Sequence, residues 1–326
     1  MSNRNPIISH SLFYYANEIK QQWHELFLTN VALKEEDLLK KLYSFEYLNT
    51  KIPILKQPIS LWKQTSHVFY ELWELFQSTI LLEDWRELKN ITTLCYGVTN
   101  SICLEVLLKC RPALFKRDFH TIVSSFEPPT STLGSVDFLF YDLPNELDET
   151  LNDFMIHSLT YQKTGGSMVF KIDLLSLCMK PTLNILFFLC FIYDKVCVVR
   201  PTTTHFMSTY HYIVCKHYSI SNEERIKLLQ YFYQVKKKIF YPFLPHLMFL
   251  NKIEDMNIII GQQWIQSLES LVSLLKNKHT DMKIEQIMQQ NIQKSILWCE
   301  KYKVPISVSL FHPNIHNNNN LKFMNL

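Results

Sequence analysis

Two short apolar runs in this chain end on residues that could do chemistry. Val136 to Tyr141 (V-D-F-L-F-Y) leads into Asp142, and Ser167 to Phe170, introduced by Gly165-Gly166, leads into Lys171. The end of a buried strand is where an α/β sheet presents side chains to ligand, and a lysine beside carboxylates can be tuned for proton transfer. A lone lysine closing a strand is also often just solvated. His205 and His211 could rebuild an acid–base site, since histidine as a residue type titrates in a suitable range, but His211 adjoins Tyr210 in a strand, where neighbouring side chains face opposite ways. Arg225, Lys227 and Lys236-Lys237-Lys238 could form a phosphate-contacting face or a solvated helix face.

Such residues need a scaffold. Residues 10 to 48 read as amphipathic helices, with Leu12, Tyr15, Ile19, Trp23 and Leu26 at helical spacing and a charged second stretch from Lys34 to Lys41. After Pro53 and Pro58 a helix is expected from Ser60 to Gln77. Strands and helices then alternate: Ile91 to Tyr96, strand; Ser101 to Cys110, helix; Thr121 to Phe126 and Val136 to Tyr141, strands; Leu147 to Leu159, helix. Gly165-Gly166 reads as a turn before the strand Ser167 to Lys171, followed by a helix from Leu174 to Tyr193 and strands Lys195 to Val199 and His211 to Lys216. This order implies a largely parallel sheet with crossover helices and an antiparallel final pair. The interval from Cys110 to Val136 is short for two strands and a helix. Beyond Ser221 a helix opens with Asn222 as its cap and two early acids, and Trp264 to Leu275 and Ile284 to Tyr302 are further helices. The tail after Pro305 reads as irregular.

With 326 residues, 47% of them hydrophobic, the chain can fill a sizeable core. A net charge of +3 excludes a polybasic nucleic-acid coat and leaves room for a local basic groove. None of the eight cysteines forms a C-x-x-C pair or a Cys/His cluster with zinc spacing, so buried thiols in a reducing compartment and no metal are expected. The start of the chain has no apolar signal core, and Ile185 to Tyr193 is too short to span a bilayer. The expectation is a soluble protein of the cytoplasm or a virion, with no membrane association. Only five glycines occur, few for a nucleotide-binding α/β protein, where glycine lets backbone approach a ligand.

Thr164 to Lys171 (T-G-G-S-M-V-F-K) and Val196 to Cys215 (V-C-V-V-R-P-T-T-T-H-F-M-S-T-Y-H-Y-I-V-C) together resemble the second half of the FtsJ-like RNA 2'-O-methyltransferase domain. That family includes the cap ribose methyltransferases of large DNA viruses and shows G-G-x-x-x-x-K followed by S-R-x-x-S-S-E-x-Y-x-V-C. The resemblance implies a Rossmann-like, S-adenosylmethionine-dependent methyltransferase sheet over residues 61–220. A helical extension (1–60), a C-terminal helical region (221–305) and a tail (306–326) would flank it.

The resemblance also implies a Lys-Asp-Lys-Glu tetrad. Asp142 takes the aspartate position and Lys171 that of the second lysine. Tyr210 stands where the glutamate belongs and offers no carboxylate. Counting back from Gly97 by the family spacing reaches Tyr70 to Gln77, which holds no lysine; Glu71, in F-Y-E-L-W-E-L-F, is the match, with Lys63 on nearly the same helical face as a substitute. The family's glycine-rich cofactor loop reads L-C-Y-G-V-T-N-S-I-C, so Gly97 and Asn100 are the candidate cofactor contacts. Glu127 could touch a ribose or be an exposed loop residue. S-adenosylmethionine binding is expected to be weak or lost. The chain then reads as a catalytically degenerate relative serving as scaffold or stimulatory subunit in a viral RNA capping or transcription assembly, with RNA and a protein as partners. The alternatives are an active mRNA cap 2'-O-methyltransferase and a stand-alone RNA-binding module.

Overall fold

The structure, a computed structural model, describes residues 6–29, 40–53, 56–62, 64, 66–79, 81–86, 88–124, 133–142, 147–234, 245–276 and 281–307. Lys63, Glu127, Lys236 to Lys238, most of the charged stretch Lys34 to Lys41 and the end of the tail lie outside the described residues. Contacts divide the chain into two compact units, Met1–Val31 with Val68–Lys278, and Ala32–His67 with His279–Leu326.

The larger unit holds a six-stranded sheet. Its helices are α1 (His10–Thr29), α2 (Val68–Ser78), α3 (Leu81–Arg86), α4 (Asn100–Cys110), α5 (Leu147–Tyr161), α6 (Lys180–Ile192), α7 (Asn222–Gln234) and α8 (Leu247–Lys276). The strands are β1 (Thr92–Tyr96), β2 (Phe119–Val123), β3 (Val136–Asp142), β4 (Gln162–Asp173), β5 (Tyr193–Val199) and β6 (Tyr210–Tyr218), in the order β2-β1-β3-β4-β6-β5. The first four are parallel, and β6 runs antiparallel to both β4 and β5. This is the Rossmann-like α/β architecture expected of the alternation. Phe138 to Tyr141 and Met168 to Phe170 are buried, as interior strands covered on both faces must be. From β1 the chain first moves outward to β2 and then returns to the other side as β3. The strand order therefore reverses between β1 and β3, and ligands of open α/β sheets sit outside the carboxyl ends of strands at such a point.

Several expectations shift. Gly165 and Gly166 lie within β4 and form no separate turn: the pairing with β3 jumps from Val136↔Gln162 to Phe138↔Ser167, and Gly165 takes φ +77° in the resulting bulge. A Cβ on Gly166 would come within 2.8 Å of the Asp137 carbonyl. The helix expected from Leu174 splits into a 3-10 turn (Leu174–Cys178) and α6, which opens with Pro181 in its first turn. The Asp173 carboxylate accepts the Leu175 amide at 2.8 Å and sets that turn. The second strand runs from Phe119 to Val123, earlier than expected. Helix α7 is capped by Ser221 and not by Asn222: Ser221 Oγ accepts the Glu224 amide (3.2 Å) while Glu224 Oε2 accepts the Ser221 amide (3.0 Å), a capping box. Helices α1 and α8 pack together, with the Ser9 amide donating to Glu254.

The smaller unit contains α9 (Asp281–Lys301), and Asn291 and Ser295 on it hydrogen-bond the carbonyls of Lys41 and Ser44. Ser60 bridges Ile306, and the Leu61 amide donates to Pro305. That extended pairing explains why the helix expected from Ser60 begins only at Val68. Among the described residues no helix is long and apolar enough to cross a membrane.

Candidate functional site

Strand register assembles the site. Asp142 stands opposite Lys171 in the β3–β4 pair, Lys171 opposite Tyr212 and Asp173 opposite Tyr210 in the β4–β6 pair. Directly opposed residues share a face of the sheet, so Asp142, Lys171, Tyr210 and Tyr212 lie on one face. Lys171 Nζ is 3.7 Å from Asp142 Oδ1, their side chains only 13% and 12% exposed. The same ammonium lies over the Tyr210 ring, 4.2 Å from its centroid.

Helix α2 supplies the next group. Glu71 is buried and accepts the Tyr212 hydroxyl at 2.9 Å. Burial pushes its carboxyl up to about 7, although the Tyr212 hydrogen bond, Lys171 and Arg200 all pull the other way. Burial, and then Glu71, raise the Tyr212 phenol well above its ordinary range. The four sequence-matched positions Glu71, Asp142, Lys171 and Tyr210 thus come together in one place.

The loop after β1 closes on the same aspartate. Asp142 Oδ2 accepts both the Thr99 amide (3.2 Å) and the Thr99 hydroxyl (2.8 Å). Gly97 has φ +104°, and a Cβ there would lie 2.3 Å from the Asp142 carbonyl oxygen, so only glycine fits. Val98 is 91% exposed. Asn100 Oδ1 accepts the Ser101 amide at 2.6 Å, within its own helix start. Thr99 thus turns both its donors onto Asp142, and Asn100 uses its side-chain carbonyl within its own helix start.

The connection between β5 and β6 is pinned from several sides. The buried Glu74 carboxylate accepts the Thr202 amide (2.8 Å) and hydroxyl (2.9 Å) and the Thr203 amide (3.2 Å) and hydroxyl (3.1 Å). Arg200 donates to the carbonyls of His205, Ser208 and Tyr210. Trp264 Nε1 donates to the Phe206 carbonyl at 3.0 Å, and Trp23 meets the Phe206 ring edge-on.

The histidines stay apart from this cluster. His211 pairs with Ile172 on the opposite face of the sheet, is fully buried, and uses Nδ1 on the Thr209 carbonyl at 2.9 Å. Burial, helped by Arg200, lowers it to about 3. His205 Nδ1 accepts the Met207 amide and its ring stacks on Phe206. Arg225 is 1% exposed and so is not part of a solvated helix face, whereas Lys227 is exposed. Among the described residues no group of three or more His, Cys, Asp or Glu could hold a metal ion.

Sequence reasoning missed Tyr212, Glu74, Arg200 and Thr99. Tyr212 follows Tyr210 by one strand period, and Glu74 follows Glu71 by one helical turn, so both could have been inferred from periodicity. Nothing in the sequence marked Thr99.

No protein-family model matches the chain, and no curated protein matches it. Solved structures do. A class I S-adenosylmethionine-dependent methyltransferase of Listeria monocytogenes is similar at 13% identity over 48% of this chain and 63% of its own, with a TM-score of 0.35. An O-methyltransferase family protein of Burkholderia thailandensis is similar at 10% identity over 47% of this chain and 59% of its own, TM-score 0.29. MnmC2 of Aquifex aeolicus is similar at 13% identity over 79% of this chain and 99% of its own, TM-score 0.32. The chain spans less than two thirds of the Listeria and Burkholderia proteins. Likenesses this loose carry no argument, and the fold rests on the strand order and register above.

Proposed function

We propose that this chain is a catalytically degenerate relative of the FtsJ-like RNA 2'-O-methyltransferases, acting as a scaffold or stimulatory subunit in a viral RNA capping or transcription assembly, with RNA and a catalytic protein as partners. The enclosure of Lys171 carries this reading. Its ammonium is sandwiched between Asp142 and the face of Tyr210, so the group that would meet a ribose hydroxyl is already covered by its own neighbours. Two tetrad positions support the reading through their chemistry: Glu71 is a carboxyl where the family has a lysine, and Tyr210 is a phenol where it has a carboxylate. The closed loop at Thr99 supports weak or absent S-adenosylmethionine binding.

A second reading, an active ribose 2'-O-methyltransferase, has one observation in its favour. Lys171 and Asp142 still face each other at 3.7 Å, beside a Glu71 carboxyl that titrates near neutrality. Methyl transfer from radiolabelled S-adenosylmethionine to capped RNA separates the two. The degenerate reading expects no transfer above background, and transfer that Lys171→Ala abolishes would overturn it.

A further inference from the structure

Arg225 lies at the other end of the sheet from this cluster. It sits in the first turn of α7, packed where β6 ends at Tyr218 and beside Gly134, two residues ahead of β3. It is among the largest fully buried side chains, at 1% exposure, yet it forms no ion pair among the described residues. Both Nε and Nη2 are buried without a hydrogen-bond partner. A buried charge is normally paired, because an uncompensated one costs several kcal/mol even after relaxation. The other long buried arginine shows the normal case: Arg111 donates to Asp118 and to the carbonyls of Trp85 and Leu88.

Among the described residues the one nearby side-chain acceptor is the Tyr218 hydroxyl: the guanidinium pulls that phenol down against the rise from burial, but the hydroxyl is itself buried outside hydrogen-bond geometry. Gln162 Oε1 takes the Tyr193 hydroxyl and Gln162 Nε2 donates to the Val136 carbonyl, while the Thr160 carbonyl takes the Gly134 amide. The face of the guanidinium is fixed by the Tyr218 ring, 4.9 Å from Cζ. Gly134 keeps the third nitrogen clear, since a Cβ there would lie 2.2 Å from Nη1. The two free nitrogens are the side-on pair of the guanidinium, parallel donors whose spacing matches two oxygens on one phosphorus or carbon.

We propose that Arg225 anchors an oxyanion site on this edge of the sheet, taking one phosphate or carboxylate group side-on through Nε and Nη2 with Tyr218 stacked behind it. The anion is enclosed when bound, and its negative charge compensates the buried guanidinium. The site is separate from the Lys171 cluster and does not depend on how that cluster functions.

The test uses the full chain in chloride buffer, titrated with sodium phosphate or sodium acetate at constant ionic strength and followed by thermal unfolding and calorimetry. The wild type should show a saturable rise in Tm of roughly 2–4 °C or more, from phosphate if the site takes a phosphoryl group and from acetate if it takes a carboxylate. Arg225→Lys keeps the charge without the fork and should weaken binding at least about tenfold, one good charge-assisted hydrogen bond's worth. Arg225→Met should unfold at a higher temperature than the wild type in chloride and ignore both anions. A wild type that responds to phosphate and acetate no more than to chloride overturns the proposal, and so does an Arg225→Met protein that responds as the wild type does. The wild-type titration decides by itself if a variant does not fold.

Discussion

The Glu71 carboxyl, at the position where the FtsJ-like pattern that the sequence resembles has a lysine, is buried against Tyr212, and burial lifts it to about 7. A carboxyl whose folded pKa lies above its unfolded value stabilises the fold fully below about pH 4.5, and that contribution is lost as pH rises through 7. Over this window the loss is on the order of 3 kcal/mol. Glu71→Gln removes the titration but keeps an acceptor for Tyr212. Urea unfolding at pH 5 and pH 8 should show stability rising with pH more steeply in the variant than in the wild type, because only the wild type carries the opposing Glu71 contribution; parallel pH dependence in both proteins would show that Glu71 does not carry the effect.

Among the elements, the β5–β6 connection takes its start from one buried carboxylate. Glu74 accepts from four donors of Thr202 and Thr203, and the strand that follows places Tyr210 over Lys171. Glu74→Ala leaves those donors without their acceptor and should cost about 2–4 kcal/mol. Amide exchange at Thr202 and Thr203 should quicken beyond what the lost global stability explains, and unchanged exchange there would mean the clasp is not holding the loop. Strand and helix identity in the sheet was legible because interior strands are short, continuously apolar and separated by helical periods. What could not be read were features set by partners distant in sequence. Ser60 and Leu61 are held extended by Pro305 and Ile306, the Gly165-Gly166 bulge depends on β3, and Thr99 turns inward because Asp142 lies across the switch point. Asp142, Lys171 and Tyr210 were found because a motif marked them, whereas Tyr212 and Glu74, which complete the cluster, belong to no motif.

For the whole molecule, His157, His211 and Glu71 are the buried groups among the described residues whose displacement from ordinary values is largest within the range from pH 3 to 7. Burial lowers His157 to about 4 and His211 to about 3, so each contributes stability that is present above its unfolded pKa of 6.5 and lost as pH falls through those values. Glu71 acts in the opposite direction between about 4.5 and 7. Two histidines outweigh one carboxyl up to the point where all three have finished titrating, so stability should rise from pH 4 and level off at about pH 7. A denaturation series from pH 4 to pH 8 checks this, and stability that falls steadily from pH 5 to pH 8 would contradict the assignment of these groups. We propose that side chains of the sheet close the switch point between β1 and β3 to S-adenosylmethionine. Calorimetric titration of the full chain with S-adenosylmethionine should give no saturable heat in the micromolar range, and a clean micromolar isotherm would contradict the closure.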